Sequence, residues 1–149
     1  MVSFRLLSDL CIWYNSGMSK VENIKSHKLK IFINRPTDEV FAYALSSENV
    51  PKWIKSIKEE IPSELPVKLG TKLKNRGFDS GEYNYYEVID FKNGETFTLK
   101  RLNGDYHVRY TVRAKDDGTE FEYYEWTEKD ALDPLDQSAL VLLKKHLEK

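Results

Sequence analysis

Between Tyr83 and Trp126 apolar and polar positions alternate with a period of two, and the alternation is interrupted at Asn93-Gly94, at Asn103-Gly104 and between Lys115 and Gly118. A period of two sends successive side chains to opposite faces of a strand, and Asn-Gly accepts the positive φ that a two-residue type I′ turn requires. The segment therefore predicts three linked hairpins. Pairing outward from the turns sets Val88 opposite Leu99, Leu99 opposite Val108, and Val108 opposite Glu125. Tyr86, Arg101 and Tyr106 form the next row, Phe97, Tyr110 and Tyr123 a third, and Val112 with Phe121 a fourth. The registers follow from separate turns and agree with one another, since a slip of one residue would scatter these groups over both faces. On the opposite face Glu87 meets Lys100 and Arg113 meets Glu120, which are favourable cross-strand pairs. One face is thus rich in Tyr and Phe, with an Arg and a Glu among them, as expected of the wall of a core or a cavity.

The flanking segments predict the elements that cover this face. His27 to Asn34 alternates Leu29, Ile31 and Ile33 with Lys28, Lys30 and Phe32, the pattern of a half-buried strand. Pro36 ends it, Thr37 is a candidate cap, and Asp38 and Glu39 suit the first turn of a helix whose apolar stripe is Val40, Phe41, Ala44 and Leu45. Val50 to Ile54 reads as a second short helix with Trp53 anchoring the corner, and Ile57 enters a strand. Ile61 to Gly70, with Pro62 and Pro66, reads as loop, and Thr71 to Arg76 as a strand. At the C-terminus, Asp133-Pro134 is a cap followed by Pro at the first helical position, and Leu135, Ala139, Leu142, Leu143, His146 and Leu147 recur at helical spacing over about fifteen residues. The order is strand, two short helices, about six strands and a terminal helix, an α+β arrangement.

Composition narrows the class. The chain has 149 residues, 40% of them hydrophobic, enough for one sizeable core, and its formal net charge of −1 offers no electrostatic attraction to nucleic acid or an anionic membrane. Residues 1–17 are moderately apolar but interrupted by Arg5 and Asp9, so that their longest uncharged run is far short of the roughly 20 residues of a membrane span, and they are unlike a secretory signal. Integral membrane contact is not expected. Leu6, Leu7, Leu10 and Trp13 sit at helical spacing, so these residues read either as a short helical extension or as the product of a mis-assigned start ahead of Met18, with a single domain over 18–149. The single cysteine, Cys11, makes no internal disulfide, which fits a reducing, cytoplasmic setting. His27, His107 and His146 fall on separate elements and give no metal-ligand spacing, and there is no Gly-rich phosphate loop. No metal and no cofactor are expected. Lys52, Lys55, Lys58, Lys68, Lys72, Lys74 and Arg76, broken by Glu59, Glu60 and Glu64, read as a solvated face.

Lys30 to Pro36, Val40-Phe41, Asn49 to Trp53, Leu69-Gly70-Thr71 and Gly118-Thr119 together resemble the START-like, or SRPBCC, superfamily, which includes Bet v 1-type, polyketide cyclase and lipid-transport proteins. The resemblance runs from about Ser26 to the C-terminus. It implies a helix-grip fold, an antiparallel sheet of about six or seven strands curved around the C-terminal helix, with a hydrophobic cavity between them. The terminal helix is shorter than in many relatives, which implies a more open or a smaller cavity.

Taken with the hairpin rows, this places Tyr86, Val88, Phe97, Leu99, Arg101, Tyr106 and Val108 on the cavity wall, with Tyr110, Phe121, Tyr123 and Glu125 beside them. Ala139, Leu142 and Leu143 face them from the helix. Arg101 and Glu125 lie roughly 10–12 Å apart at Cβ from strand spacing. An inward charge without a partner costs several kcal/mol, so the two should pair, reach the mouth or hold a polar ligand group. They are the weak catalytic candidates; no motif demands catalysis. On the outer face Tyr124 opposite Arg109 suggests a cation–π pair, and Trp126 opposite His107 a contact surface or a ring tucked under the loop before Asp133. The leading expectation is a protein that binds a hydrophobic or aromatic small molecule of lipid, isoprenoid or polyketide type. A cyclase- or dehydratase-like enzyme and a cochaperone- or ribosome-associated interaction module are the alternatives.

Overall fold

A computed structural model describes residues 25–79 and 81–149. The chain runs β1 (Lys25–Ile33), α1 (Thr37–Leu45), α2 (Val50–Trp53), β2 (Glu59–Pro62), β3 (Lys72–Arg76), β4 (Asn84–Lys92), β5 (Thr96–Arg101), β6 (His107–Lys115), β7 (Gly118–Thr127) and α3 (Gln137–Leu147). The reading of residues 1–17 lies outside the described residues. The strands form one antiparallel, seven-stranded curved sheet in the order β1-β7-β6-β5-β4-β3-β2. Consecutive hairpins give the run from β2 to β7, and β1 closes the far edge by pairing with β7. The terminal helix α3 lies against β1 and α2, while α1 packs on β6 and β7, so all three helices occupy the concave face.

The rows expected from the turns are present: Val88 with Leu99, Leu99 with Val108, Val108 with Glu125, Tyr110 with Phe97 and Tyr123, and Val112 with Phe121. The turns that produce them differ from expectation. Gly94 has φ 76° but Asn93 does not share a positive φ, and Lys92 pairs with Thr96, so the loop holds three residues, Asn93 to Glu95. A bulge at Ile89, between Val88 and Asp90, absorbs the extra residue and restores the Val88–Leu99 register. Neither Asn103 nor Gly104 adopts a positive φ, so that connection is not a type I′ turn either. At the third turn Asp116 carries the positive φ, 53°, with Lys115 paired to Gly118.

Helix boundaries also shift. Pro36, not Thr37, is the N-cap of α1, and no side chain caps it. The terminal helix starts at Gln137 and has 11 residues, because Asp136 rather than Asp133 is its cap, its carboxylate accepting from the Ser138 N–H at 3.0 Å. The physical reason lies in Leu135, whose N–H donates to Glu125 Oε2 at 2.7 Å and holds the preceding segment off the helical path. Gly118 is required for close approach: a Cβ there would lie 2.5 Å from the Ile33 carbonyl oxygen and 2.8 Å from the Phe32 ring.

The core lies between the concave face and the helices. Ile33, Val40, Trp53, Val88, Phe121, Leu140 and Leu143 are fully buried, each large apolar side chain worth about 1.5–3 kcal/mol of burial. Trp53 is central, its ring 5.7 Å from Tyr110, 6.0 Å from Phe121 and 6.3 Å from Tyr123. On the convex face the Arg109 guanidinium lies over Trp126 at 5.1 Å rather than over Tyr124, which takes Lys28 instead. Trp126 stacks on both His107 and Tyr124, so these rings face one another.

Candidate functional site

Because α1 and α2 cover the middle of the concave face, the open space is displaced toward the end of the sheet where β2 to β6 meet the segment after β7. There a cavity of about 360 Å³ opens. Its walls are Tyr86, Leu99, Arg101, Tyr106, Val108 and Tyr110 from the sheet, Ile54 and Ile57 after α2, and Asp130, Ala131 and Asp133 at the rim. The rim is held by Asp105, whose carboxylate accepts from the N–H groups of Glu128 at 3.0 Å, Lys129 at 2.5 Å and Asp130 at 3.4 Å. Those bonds hold the Asp105 carboxyl below the usual carboxylate range.

A polar stripe crosses this end of the sheet. Glu60 pairs with Asn75, and Asn75 with Asn84, across three adjacent strands; Arg101 Nη2 then donates to Asn84 Oδ1 at 2.6 Å. Arg101 Nε also donates to Asn103 Oδ1 at 3.1 Å. Glu60 is half-buried, accepting from Ser47 Oγ at 2.8 Å and Asn75 Nδ2 at 3.4 Å. Burial pushes its carboxyl above the ordinary value, against the opposing effect of those two hydrogen bonds. Burial likewise raises the Tyr86, Tyr106 and Tyr110 hydroxyls, so all three stay protonated and able to donate at neutral pH.

The Arg101–Glu125 pair does not form. Glu125 is buried and takes the Tyr106 hydroxyl at 2.6 Å on Oε1 and the Leu135 N–H on Oε2, and Tyr106 is also 3.2 Å from the Tyr123 hydroxyl. Glu125 faces a second cavity of about 300 Å³, bounded by Trp53, Pro134, Ala139 and Leu142. Of the residues placed on the wall from sequence, Tyr86, Leu99, Arg101, Tyr106, Val108 and Tyr110 thus line the first cavity, and Glu125, Ala139 and Leu142 the second. Val88, Phe97, Phe121, Tyr123 and Leu143 line neither and belong to the closed core, where Trp53 and α1 fill the space in front of them. Glu60, Asn75 and Asn84 line the first cavity as well, beyond the wall residues expected from the sequence. Asn75 shares its face with Leu73 through the alternation of β3, a signal in the sequence; Glu60 sits where exposed Ile61 inverts the expected pattern, and it leaves the solvated face to which it was assigned. Its neighbours Glu59 and Arg76 do form a surface ion pair.

The raised Glu60 carboxyl has a thermodynamic consequence. The folded state holds this proton more tightly than the unfolded chain, so the contribution is fully favourable below the ordinary value of 4.5 and is lost as pH rises through the folded value. Glu60→Gln should therefore gain melting temperature relative to the parent as pH rises above 4.5, and little below it. Asp105, Asp136 and Glu148, whose carboxyls are lowered, contribute the opposite slope equally to both proteins. Thermal unfolding from about pH 4 to about pH 8 checks this, and a pH-independent difference would contradict it.

Among the described residues no group of three His, Cys, Asp or Glu is placed to hold a metal ion, and no helix is long and apolar enough to cross a membrane. No protein-family model matches the chain, and no curated protein matches it by sequence. Solved structures do match. KanY is similar over 84% of this chain and 98% of its own, with a TM-score of 0.65 at 18% identity. Major latex-like protein 151 from Panax ginseng matches over 85% of this chain and 96% of its own, with a TM-score of 0.62 at 15% identity. The Aha1 dimer from Colwellia psychrerythraea matches over 83% and 96%, with a TM-score of 0.60 at 14% identity. Likeness at such identity is a likeness of fold, and it coincides with the strand order, the two short helices after β1 and the terminal helix described above. The chain therefore has a Bet v 1-like helix-grip fold.

Proposed function

We propose that the protein binds a compact, largely apolar or aromatic small molecule in the cavity lined by Tyr86, Tyr106 and Tyr110. The observation that carries this reading is the cavity itself, about 360 Å³, lined by Tyr86, Leu99, Tyr106, Val108 and Tyr110 together with polar groups that include Glu60, Asn75, Asn84 and Arg101, within the roughly 300–1,000 Å³ of small-molecule sites. That size favours an isoprenoid- or polyketide-like body over a long-chain lipid. Its binding chemistry is burial of the apolar body, with tyrosine hydroxyls giving orientation.

An enzymatic reading draws on Glu60, a carboxyl of raised proton affinity on the wall of the same cavity, positioned to exchange a proton with a bound ligand. An interaction module on the convex face has no such support, because Trp126, Tyr124 and His107 stack on one another and meet Arg109 and Lys28.

Native mass spectrometry after incubation with a total small-molecule extract tests the binding reading. The expected result is an added mass that disappears on denaturation and is absent from a folded Leu99→Phe variant, which narrows the cavity. A bare mass for both proteins overturns it.

A further inference from the structure

A carboxyl and a guanidinium face the first cavity from opposite ends of the polar stripe. Glu60 stands on β2 and Arg101 on β5, with β3 and β4 between them, a backbone separation of roughly 14 Å at normal strand spacing. Each is satisfied only by neutral groups among the described residues: Glu60 by Ser47 and Asn75, Arg101 by Asn84 and Asn103. Neither takes part in an ion pair among those residues. A partly buried charge gains most from an opposite charge at hydrogen-bond distance, and the intervening asparagines keep these two from supplying it to each other. Beside this stripe the wall carries Leu99, Tyr86 and Tyr110, an apolar and aromatic surface for the body of a ligand.

We propose that the cavity takes a dipolar aromatic ligand, with an amine or other cationic donor facing Glu60 and a carboxylate or other anionic acceptor facing Arg101. This rests on the small-molecule reading above and specifies the ligand class of that site. The two ends are recognised differently. Asp130 and Asp133 border the rim, and Asp130 Oδ2 lies close to Gly104 beside the Arg101 stem, accepting from the Asp105 N–H at 3.2 Å. These carboxylates offset the positive potential around Arg101, so the anionic end depends on direct hydrogen bonds to the guanidinium and is weakly sensitive to salt. The same carboxylates add to the attraction for the cationic end.

Three probes with one apolar body separate the terms: 2-naphthylmethylamine, 2-naphthoate and the uncharged 2-naphthalenemethanol, titrated at neutral pH by calorimetry or by chemical-shift change. Both charged probes are expected to bind the parent protein about tenfold more tightly than the alcohol, the worth of one charge-assisted hydrogen bond. Glu60→Gln should remove the preference for the amine alone, and Arg101→Gln that for the naphthoate alone, while Arg101→Lys keeps much of the latter. Equal binding of all three probes by the parent protein overturns the inference and leaves the small-molecule reading standing. So does a uniform weakening of all three in both Gln variants. Failure of every probe, the alcohol included, overturns the small-molecule reading and the inference with it.

Discussion

Replacing Trp53 by alanine is expected to cost about 3–5 kcal/mol, the range for removing a fully buried large aromatic side chain, and to lower the melting temperature by roughly 10–15 °C. The reason is position as much as size. Trp53 is wholly buried at the end of a four-residue helix and bridges α2 to Tyr110, Phe121 and Tyr123 on two neighbouring rows of β6 and β7. So short a helix has no stability of its own and depends on this packing. Its indole Nε1 has no hydrogen-bond partner among the described residues, so Trp53→Phe sacrifices volume and no hydrogen bond, and should cost roughly 1–2 kcal/mol. Urea unfolding of the two variants checks the order. A cost below about 1 kcal/mol for the alanine variant would contradict the central packing role.

Glu125→Ala is expected to cost about 3 kcal/mol, because it leaves the Leu135 N–H and a buried tyrosine hydroxyl short of an acceptor at once. Glu125→Gln should cost about 1 kcal/mol or less, since one amide oxygen still accepts from Leu135 and the amide N–H can donate to the Tyr106 oxygen. Chemical denaturation measures both, and hydrogen exchange at the Leu135 amide should quicken in the alanine variant and hold in the glutamine variant. Equal losses would mean that the negative charge, not the pair of acceptors, stabilises the site. On this account Glu125 fastens the segment ahead of α3 to the sheet, a role distinct from the catalytic one that its inward position first suggests.

The contrast between Glu125 and Glu60 shows where the sequence is readable. Hairpin register is a local property, fixed by loop length and by which face each apolar residue must occupy, so the rows containing Val88, Leu99, Val108 and Glu125 follow from the alternation alone. Side-chain partners are not local. Arg101 and Glu125 share a face, but Asn84 and Leu135 reach them first, and those contacts depend on how β4 and the segment before α3 are placed. Glu60 is harder still. It lies on a short strand followed by the Pro-containing loop, with no tight turn to set the β2–β3 register, and its neighbour Ile61 faces solvent in its stead. The expected start of α3 at Asp133-Pro134 failed for a related reason: a plausible cap was overridden by a hydrogen bond from Leu135 to a residue ten positions earlier.

The bulge at Ile89 divides the β4–β5 hairpin into two lengths that are indexed separately. From Val88 and Leu99 toward the cavity the pairing follows one count, and from Asp90 and Thr98 to the tip it follows another. The tip, with Asn93 and Glu95 exposed, can therefore gain or lose a residue and have the change absorbed before it reaches Val88. Such a hairpin is open to evolutionary drift in length at its outer end, and to insertion of a tag or reporter there, while the wall that bears Tyr86, Leu99 and Arg101 stays in frame.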